Sequence, residues 1–345
     1  MLYRVIDASE LPQLVSAFLE RYEVIAPVKT EKGYAFAPVE SFDDIELDYP
    51  QTIASLKKYY LPQRETLFRF DAATNEVLEH EEEIPPRVLF GAHACDINAI
   101  NCLNSVFEDA RYPDPYYEAH RSSMLVVGIS CMPSKSCFCQ LMDSDEARSG
   151  YDLFLQDIGD RYLVSMNSVE AANILESACN PRVATDEDRR AFRQATRRRQ
   201  EAFNDEIPDI QEIPMLMDAF HSDEFWDELG ERCLSCTACS AVCPTCHCFD
   251  IRDVLDAHGR TGSRERVWDA CTSPQFATVT GGHNFRPSGR ERVRHRMYHK
   301  LNGFLATHDR NLCVGCGRCV NACKANISPI EVLKFFERKG AEDAE

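Results

Sequence analysis

Apolar and polar positions alternate along this chain in ways that mark out two unlike parts. Leu11, Leu14, Val15, Phe18, Leu19 and Tyr22 fall on one face of a helix that Ser9 can cap. Short apolar runs follow, broken by proline, glycine and charged turns. Segments 24–28, 34–39, 67–70 and 88–90 read as strands, and 125–129 as a buried strand. Segments 151–155 and 162–166 read as a hairpin around Gly159-Asp160, followed by a helix over 169–178. The arginine-rich segment 186–203 reads as a helix with a solvated face. Segment 204–214 carries two prolines and few apolar anchors. The chain is therefore expected to divide into an α+β domain over 1–203, a linker over 204–222 and a second domain over 223–345. In the second domain 250–258 and 290–305 read as helices, which makes it an all-α (alpha-helical) domain.

The longest clean apolar run, 124–129, is far too short to span a bilayer. The opening residues Met1-Leu2-Tyr3-Arg4 lack the basic-then-apolar pattern of a secretory signal, so no membrane span and a cytoplasmic location are expected. Net charge is −18, which excludes a nucleic-acid partner, because phosphate backbones repel an acidic surface. The charge is uneven: residues 260–300 sum to +6 and the rest of the chain to −24.

The chain has 17 cysteines among its 345 residues. Cytosolic thiols stay reduced, so metal ligation rather than a disulfide scaffold is the natural use of this excess. Two runs carry the pattern: Cys233-x2-Cys236-x2-Cys239-x3-Cys243-Pro244 and Cys313-x2-Cys316-x2-Cys319-x3-Cys323. A cubane [4Fe–4S] cluster takes four thiolates, and a tight loop with two-residue spacers supplies three of them. In two-cluster ferredoxins the fourth cysteine of each run ligates the other cluster. By that rule Cys233, Cys236, Cys239 and Cys323 hold one cluster, and Cys313, Cys316, Cys319 and Cys243 the other. Zinc is the competing occupant, but zinc sites use two separated cysteine pairs. Lys324 stands where proline would follow Cys323, a change that bears on hydrogen bonding around the cluster. Sixty-nine residues separate Cys243 from Cys313, so a helical dicluster domain fits better than a small hairpin ferredoxin.

Further cysteines are candidates. Cys95, Cys131, Cys137 and Cys139 lie after predicted strands and could house a third cluster; buried free thiols are the alternative. Cys246, Cys248 and Cys271 are weaker metal candidates, and Cys102 and Cys179 read as core. His93, His247 and His283 lie near cysteines but read as structural. Arg286, Arg290, Arg292, Arg294 and Arg296 could offset cluster charge or form a docking face. Gly281-Gly282-His283-Asn284 lacks the strand–glycine loop–helix context of a dinucleotide site, and there is no Walker motif. The chain is thus expected to carry no flavin or NAD and no catalytic residue.

Together these residues resemble a known family. It contains the iron–sulfur subunit of anaerobic sulfite reductase, the beta subunit of cytoplasmic sulfhydrogenases, and the iron–sulfur subunit of flavin oxidoreductases that serve heterodisulfide reductase. The resemblance rests on Glu65-Thr66-Leu67-Phe68, Ala94-Cys95-Asp96-Ile97-Asn98-Ala99, Cys137-Phe138-Cys139, the run from Cys233 to Phe249, Trp268 to Cys271, Gly281-Gly282-His283-Asn284, His299-Lys300-Leu301 and Cys313 to Cys319. It implies a non-catalytic electron relay between an FAD/NAD(P)-binding ferredoxin-reductase-like subunit and a terminal reductase or hydrogenase subunit. Asp96-Ile97-Asn98-Ala99 is similar to the sulfite reductase branch, which makes anaerobic sulfite reductase the expected terminal enzyme. The alternatives are a cytoplasmic NiFe (sulf)hydrogenase or the heterodisulfide-reductase system.

Overall fold

The computed structural model describes residues 2–78, 83–109, 111–203 and 212–343. The linker expected over 204–222 lies outside the described residues as far as 211. Eleven strands form among the described residues: β1 (Leu2–Asp7), β2 (Glu23–Thr30), β3 (Gly33–Pro38), β4 (Arg64–Asp71), β5 (Val77–Leu78), β6 (Arg87–Ala92), β7 (Met124–Ile129), β8 (Leu153–Asp157), β9 (Arg161–Met166), β10 (Phe249–Leu255) and β11 (Thr261–Trp268).

Seven of them build one sheet in the order β1-β9-β8-β7-β6-β2-β3. Its centre is parallel, β2 to β6 to β7 to β8, and its flanks are antiparallel. Side chains alternate across a strand, so each central strand feeds two cores. Val88, Phe90, Val127 and Leu155 face the helices Leu11–Leu19 and Val169–Ala178. Leu89 and Val126 face Ile97, Ile100 and Leu103 of the helix Ala94–Phe107. Burial on both faces explains why β7 reads as an unbroken apolar run.

The arginine-rich helix Asp186–Glu201 starts at a capping box. The Thr185 hydroxyl accepts from the Asp188 amide, and the Asp188 carboxylate accepts from the Thr185 amide at 2.8 Å. Asp188 is fully buried, and Arg161 and Arg182 reach it at 2.8 and 2.6 Å. The Arg182 hydrogen bond, aided by Thr185 and opposed by burial, holds its carboxyl well below the usual carboxylate range.

The C-terminal part is not all-α. The segment expected as a helix over 250–258 is strand β10, paired antiparallel with β11. β11 in turn pairs with β4, giving a second sheet in the order β10-β11-β4-β5. The reason lies in the turn. The Asp256 carboxylate accepts from the amides of His258 and Arg260, and Gly259 supplies a φ of 65°. Asp253 and Arg264, directly opposite in the ladder, pair at 2.7 Å. The rest of this part is helical. Phe225–Arg232, Gly289–Leu301 and Pro329–Asp343 enclose Trp226, Leu229, Val293, Met297 and Phe336.

Candidate metal centres

The two cysteine runs fold alike. Ser235 and Thr237 of the first have φ of 51° and 62°; Gly315 and Gly317, at the same places in the second, have 61° and 76°. Each left-handed pair curls the loop so that an amide turns back onto a sulfur. Ser235 N–H donates to Cys233 Sγ at 3.4 Å, and Gly315 N–H to Cys313 Sγ at 3.5 Å. Glycine is required only in the second copy. A Cβ at Gly315 would fall against the Phe138 carbonyl, and one at Gly317 against the Ser136 carbonyl. The short helices Ala238–Ala241 and Arg318–Ala322 that follow pack against each other.

Cys233, Cys236 and Cys239 line one cavity together with Cys323. Cys313, Cys316 and Cys319 line a second together with Cys243. Each cavity thus takes three cysteines from one run and the fourth from the other. Ile327 N–H donates to Cys323 Sγ at 3.3 Å. The first cavity is nearer the surface, since Cys236 is exposed while Cys243 and Cys316 are buried. Four thiols around one space, with amides aimed at sulfur, are a donor set that fits an iron–sulfur cube. Among the described residues no three His, Cys, Asp or Glu side chains converge closely enough for a single metal ion.

Buried cations surround the second cavity. Lys300 Nζ donates to Thr245 Oγ1 at 2.7 Å, and Thr245 Oγ1 lies 3.4 Å from Cys243 Sγ. Burial opposes the Lys300 ammonium, but the Cys243 and Cys246 sulfurs outweigh it and its pKa is raised. Arg296 donates to Cys246 Sγ at 3.3 Å and to the Cys239 carbonyl at 3.1 Å. Of the other arginines in this segment, Arg292 is buried against the carbonyls of Arg286 and Pro287, and Arg290 pairs with Asp227 at 2.7 Å. Arg294 reaches the His221 carbonyl at 3.0 Å. Much of the +6 segment is therefore internal counter-charge rather than an open docking face.

Cys95, Cys131, Cys137 and Cys139 are also brought together and line a third cavity. Cys246, Cys248 and Cys271 lie beside Cys243, with Cys246 hydrogen-bonded to Cys243 and Cys248 to Cys271. Cys102 and Cys179 are buried and donate to the carbonyls of Asn311 and Glu10 at 3.8 and 3.7 Å, as core thiols do. His247 is buried with Nδ1 donating to the Thr245 carbonyl at 3.1 Å, and His283 is exposed.

Two contributors escape sequence reasoning. Lys57, buried under the Trp268 ring at 3.8 Å, donates to the Cys246 carbonyl at 2.7 Å. Arg318 sits inside the second run but reaches into the N-terminal part. It pairs with Asp96 at 2.9 Å and donates to Thr52 Oγ1 at 2.9 Å, all three being buried. The position of Arg318 between two ligand candidates was the available signal; nothing marks Lys57.

Residues 232–327 match the family described as 4Fe-4S dicluster domain. The paired runs, the shared loop geometry and this match define the class: the chain is an iron–sulfur protein with a 4Fe-4S dicluster domain. Among curated proteins it is 36% identical to the sulfhydrogenase 2 subunit beta of Pyrococcus furiosus over 334 residues, 96% of this chain and 98% of that one. The chain belongs to the sulfhydrogenase beta subunit family. No solved structure gives a significant match.

Proposed function

We propose that this chain is the electron-transfer subunit of a hydrogenase-like complex. It would relay electrons between a flavin-bearing, NAD(P)H-linked partner and a terminal enzyme. The observation that carries the reading is the pair of cavities, each ringed by three cysteines of one run and the fourth of the other. When bound, [4Fe–4S] clusters exchange single electrons. The chain's own residues do the rest. Cys233, Cys236, Cys239 and Cys323 would hold one cluster, and Cys313, Cys316, Cys319 and Cys243 the other. Arg296, Lys300 and Lys57 offset thiolate charge where water does not reach, and loop amides bond to the sulfurs.

Near full-length similarity to a sulfhydrogenase beta subunit supports a hydrogenase as the terminal enzyme. Asp96-Ile97-Asn98-Ala99 supports anaerobic sulfite reductase as a second reading. Among the described residues no helix is long and apolar enough to cross a membrane, so neither reading uses a membrane anchor in them.

The test is anaerobic purification of the native assembly, identification of its partners by mass spectrometry, and redox assay of the isolated chain. The isolated chain should hold at least about eight irons and eight sulfides and bleach with dithionite. It should not oxidise NADH or NADPH until the flavin partner is added, because hydride chemistry needs a flavin to split the electron pair. A flavin-free chain that oxidises NADH and reduces an acceptor by itself would sink the relay reading. A hydrogenase or a sulfite reductase in the co-purified set decides the branch.

A further inference from the structure

The third cavity lies at the carboxyl ends of two parallel neighbours in the central sheet, where open α/β sheets bind their ligands. β6 ends at Ala92, and Cys95 stands in the first turn of the helix that follows. β7 ends at Ile129, and Cys131, Cys137 and Cys139 lie on the loop beyond it. The sulfurs of Cys137 and Cys139 are 3.2 Å apart.

These thiols behave unlike the core thiols of the same molecule. Cys102 and Cys179 each donate to a backbone carbonyl. The four cavity thiols make no bond of that kind among the described residues. Instead the Cys139 amide turns onto the Cys137 sulfur, the contact that both ferredoxin-type loops make. His93 lines the same cavity, is 3% exposed, and its Nε2 has no hydrogen-bond partner. An unpartnered polar atom at such depth calls for a ligand. Finally, Cys316 lines both this cavity and that of the second run. The buried Arg318–Asp96 pair stands beside them, a cation between two thiol sets.

We propose that Cys95, Cys131, Cys137 and Cys139 hold a third iron–sulfur cluster, with His93 as a further donor at its edge. It abuts the second-run centre on the Cys316 side, and exposed Met132 at its rim gives it its own way to the surface. The relay then has three stations, the middle one the most deeply set. This extends the proposed electron-transfer function and fails separately from it.

The experiment is iron, sulfide and zinc analysis of the full chain purified anaerobically, with native mass spectrometry to count clusters. Wild type should carry about twelve irons and twelve sulfides, against about eight for a two-cluster chain. Cys137→Ala with Cys139→Ala should lower iron by about a third. Cys131→Ala, at a half-buried loop position, should do the same, and Cys102→Ala should leave iron unchanged. Two clusters on the wild type by native mass would overturn the third site and leave the two-cluster reading standing. So would about eight irons with one zinc that the Cys137 and Cys139 changes release. Unchanged iron in folded Cys131→Ala would overturn the assignment of ligands. Iron near zero in wild type would overturn both readings.

Discussion

Charged residues without water need partners, and Glu65 shows how much rests on one. It is buried between strands, with Arg266 Nε at 3.1 Å and His120 Nε2 at 2.9 Å. Arg266 also pairs with Asp114. Burial pushes the Glu65 carboxyl up, but His120 and Arg266 outweigh it and its pKa is lowered. A lowered folded value means the contribution is complete above the unfolded pKa of about 4.3 and is lost as pH falls through the folded value. Glu65→Ala should cost about 3–5 kcal/mol, because it leaves a buried guanidinium unpaired. Chemical denaturation at pH 7 measures this, and the wild-type margin should shrink between about pH 5 and 3. A second residue-scale prediction uses the unequal repeats. Gly317→Ala should destabilise by about 2–4 kcal/mol through a strained φ and a clash with the Ser136 backbone. Thr237→Gly, at the same place in the first run, should be close to neutral. Equal effects at the two positions in thermal unfolding would show that contact with the 136–138 loop is not what demands glycine.

Among the elements, what the sequence made legible depended on where the information sits. Ligand spacing is local: Cys-x2-Cys-x2-Cys names three sulfurs of a loop without any knowledge of the fold. Long, buried β7 and the periodic helix Leu11–Leu19 were legible for the same reason. Strand β10 was not. Asp250-Ile251-Arg252-Asp253-Val254-Leu255 suits a helix or a strand, and the choice falls to the Asp256–Gly259 turn and to pairing with β11. That β11 then pairs with β4, nearly two hundred residues earlier, is a long-range fact no window carries. The same distance hid Lys57 and Asp96, whose roles exist only once the two parts meet. The crossing of the fourth cysteines gives a prediction at this scale. Cys323→Ser should perturb the centre built on Cys233, Cys236 and Cys239, about four irons of the total, and spare the one beside it in sequence. EPR of the reduced variant, compared with Cys243→Ser, distinguishes the two signals. Loss of the same signal in both variants would refute the crossing.

For the whole molecule, the question is whether the cysteine-rich part can stand without the rest. Its sheet is half N-terminal: β11 has β10 on one side and β4 on the other. Trp268 Nε1 donates to the Leu61 carbonyl at 3.0 Å, and Arg318 is anchored on Thr52 and Asp96. The second run's glycines lie on the 136–138 loop, with Phe138 N–H donating to the Gly315 carbonyl at 2.8 Å. Removing residues 1–203 would therefore strip one face of the second centre, free an edge strand, and leave Arg318 without its buried carboxylate. The first centre leans on the N-terminal part less, because its cavity is lined from the C-terminal part alone. A 212–345 fragment, assembled anaerobically, should hold the first centre better than the second and retain about four irons instead of eight. It should also associate through the uncovered β11 edge. Iron analysis and light scattering test this together. A monomeric fragment holding about eight irons would mean that the N-terminal sheet contributes nothing to the two-cluster part. The contacts through Thr52, Asp96 and Phe138 would then be matters of docking, not of assembly.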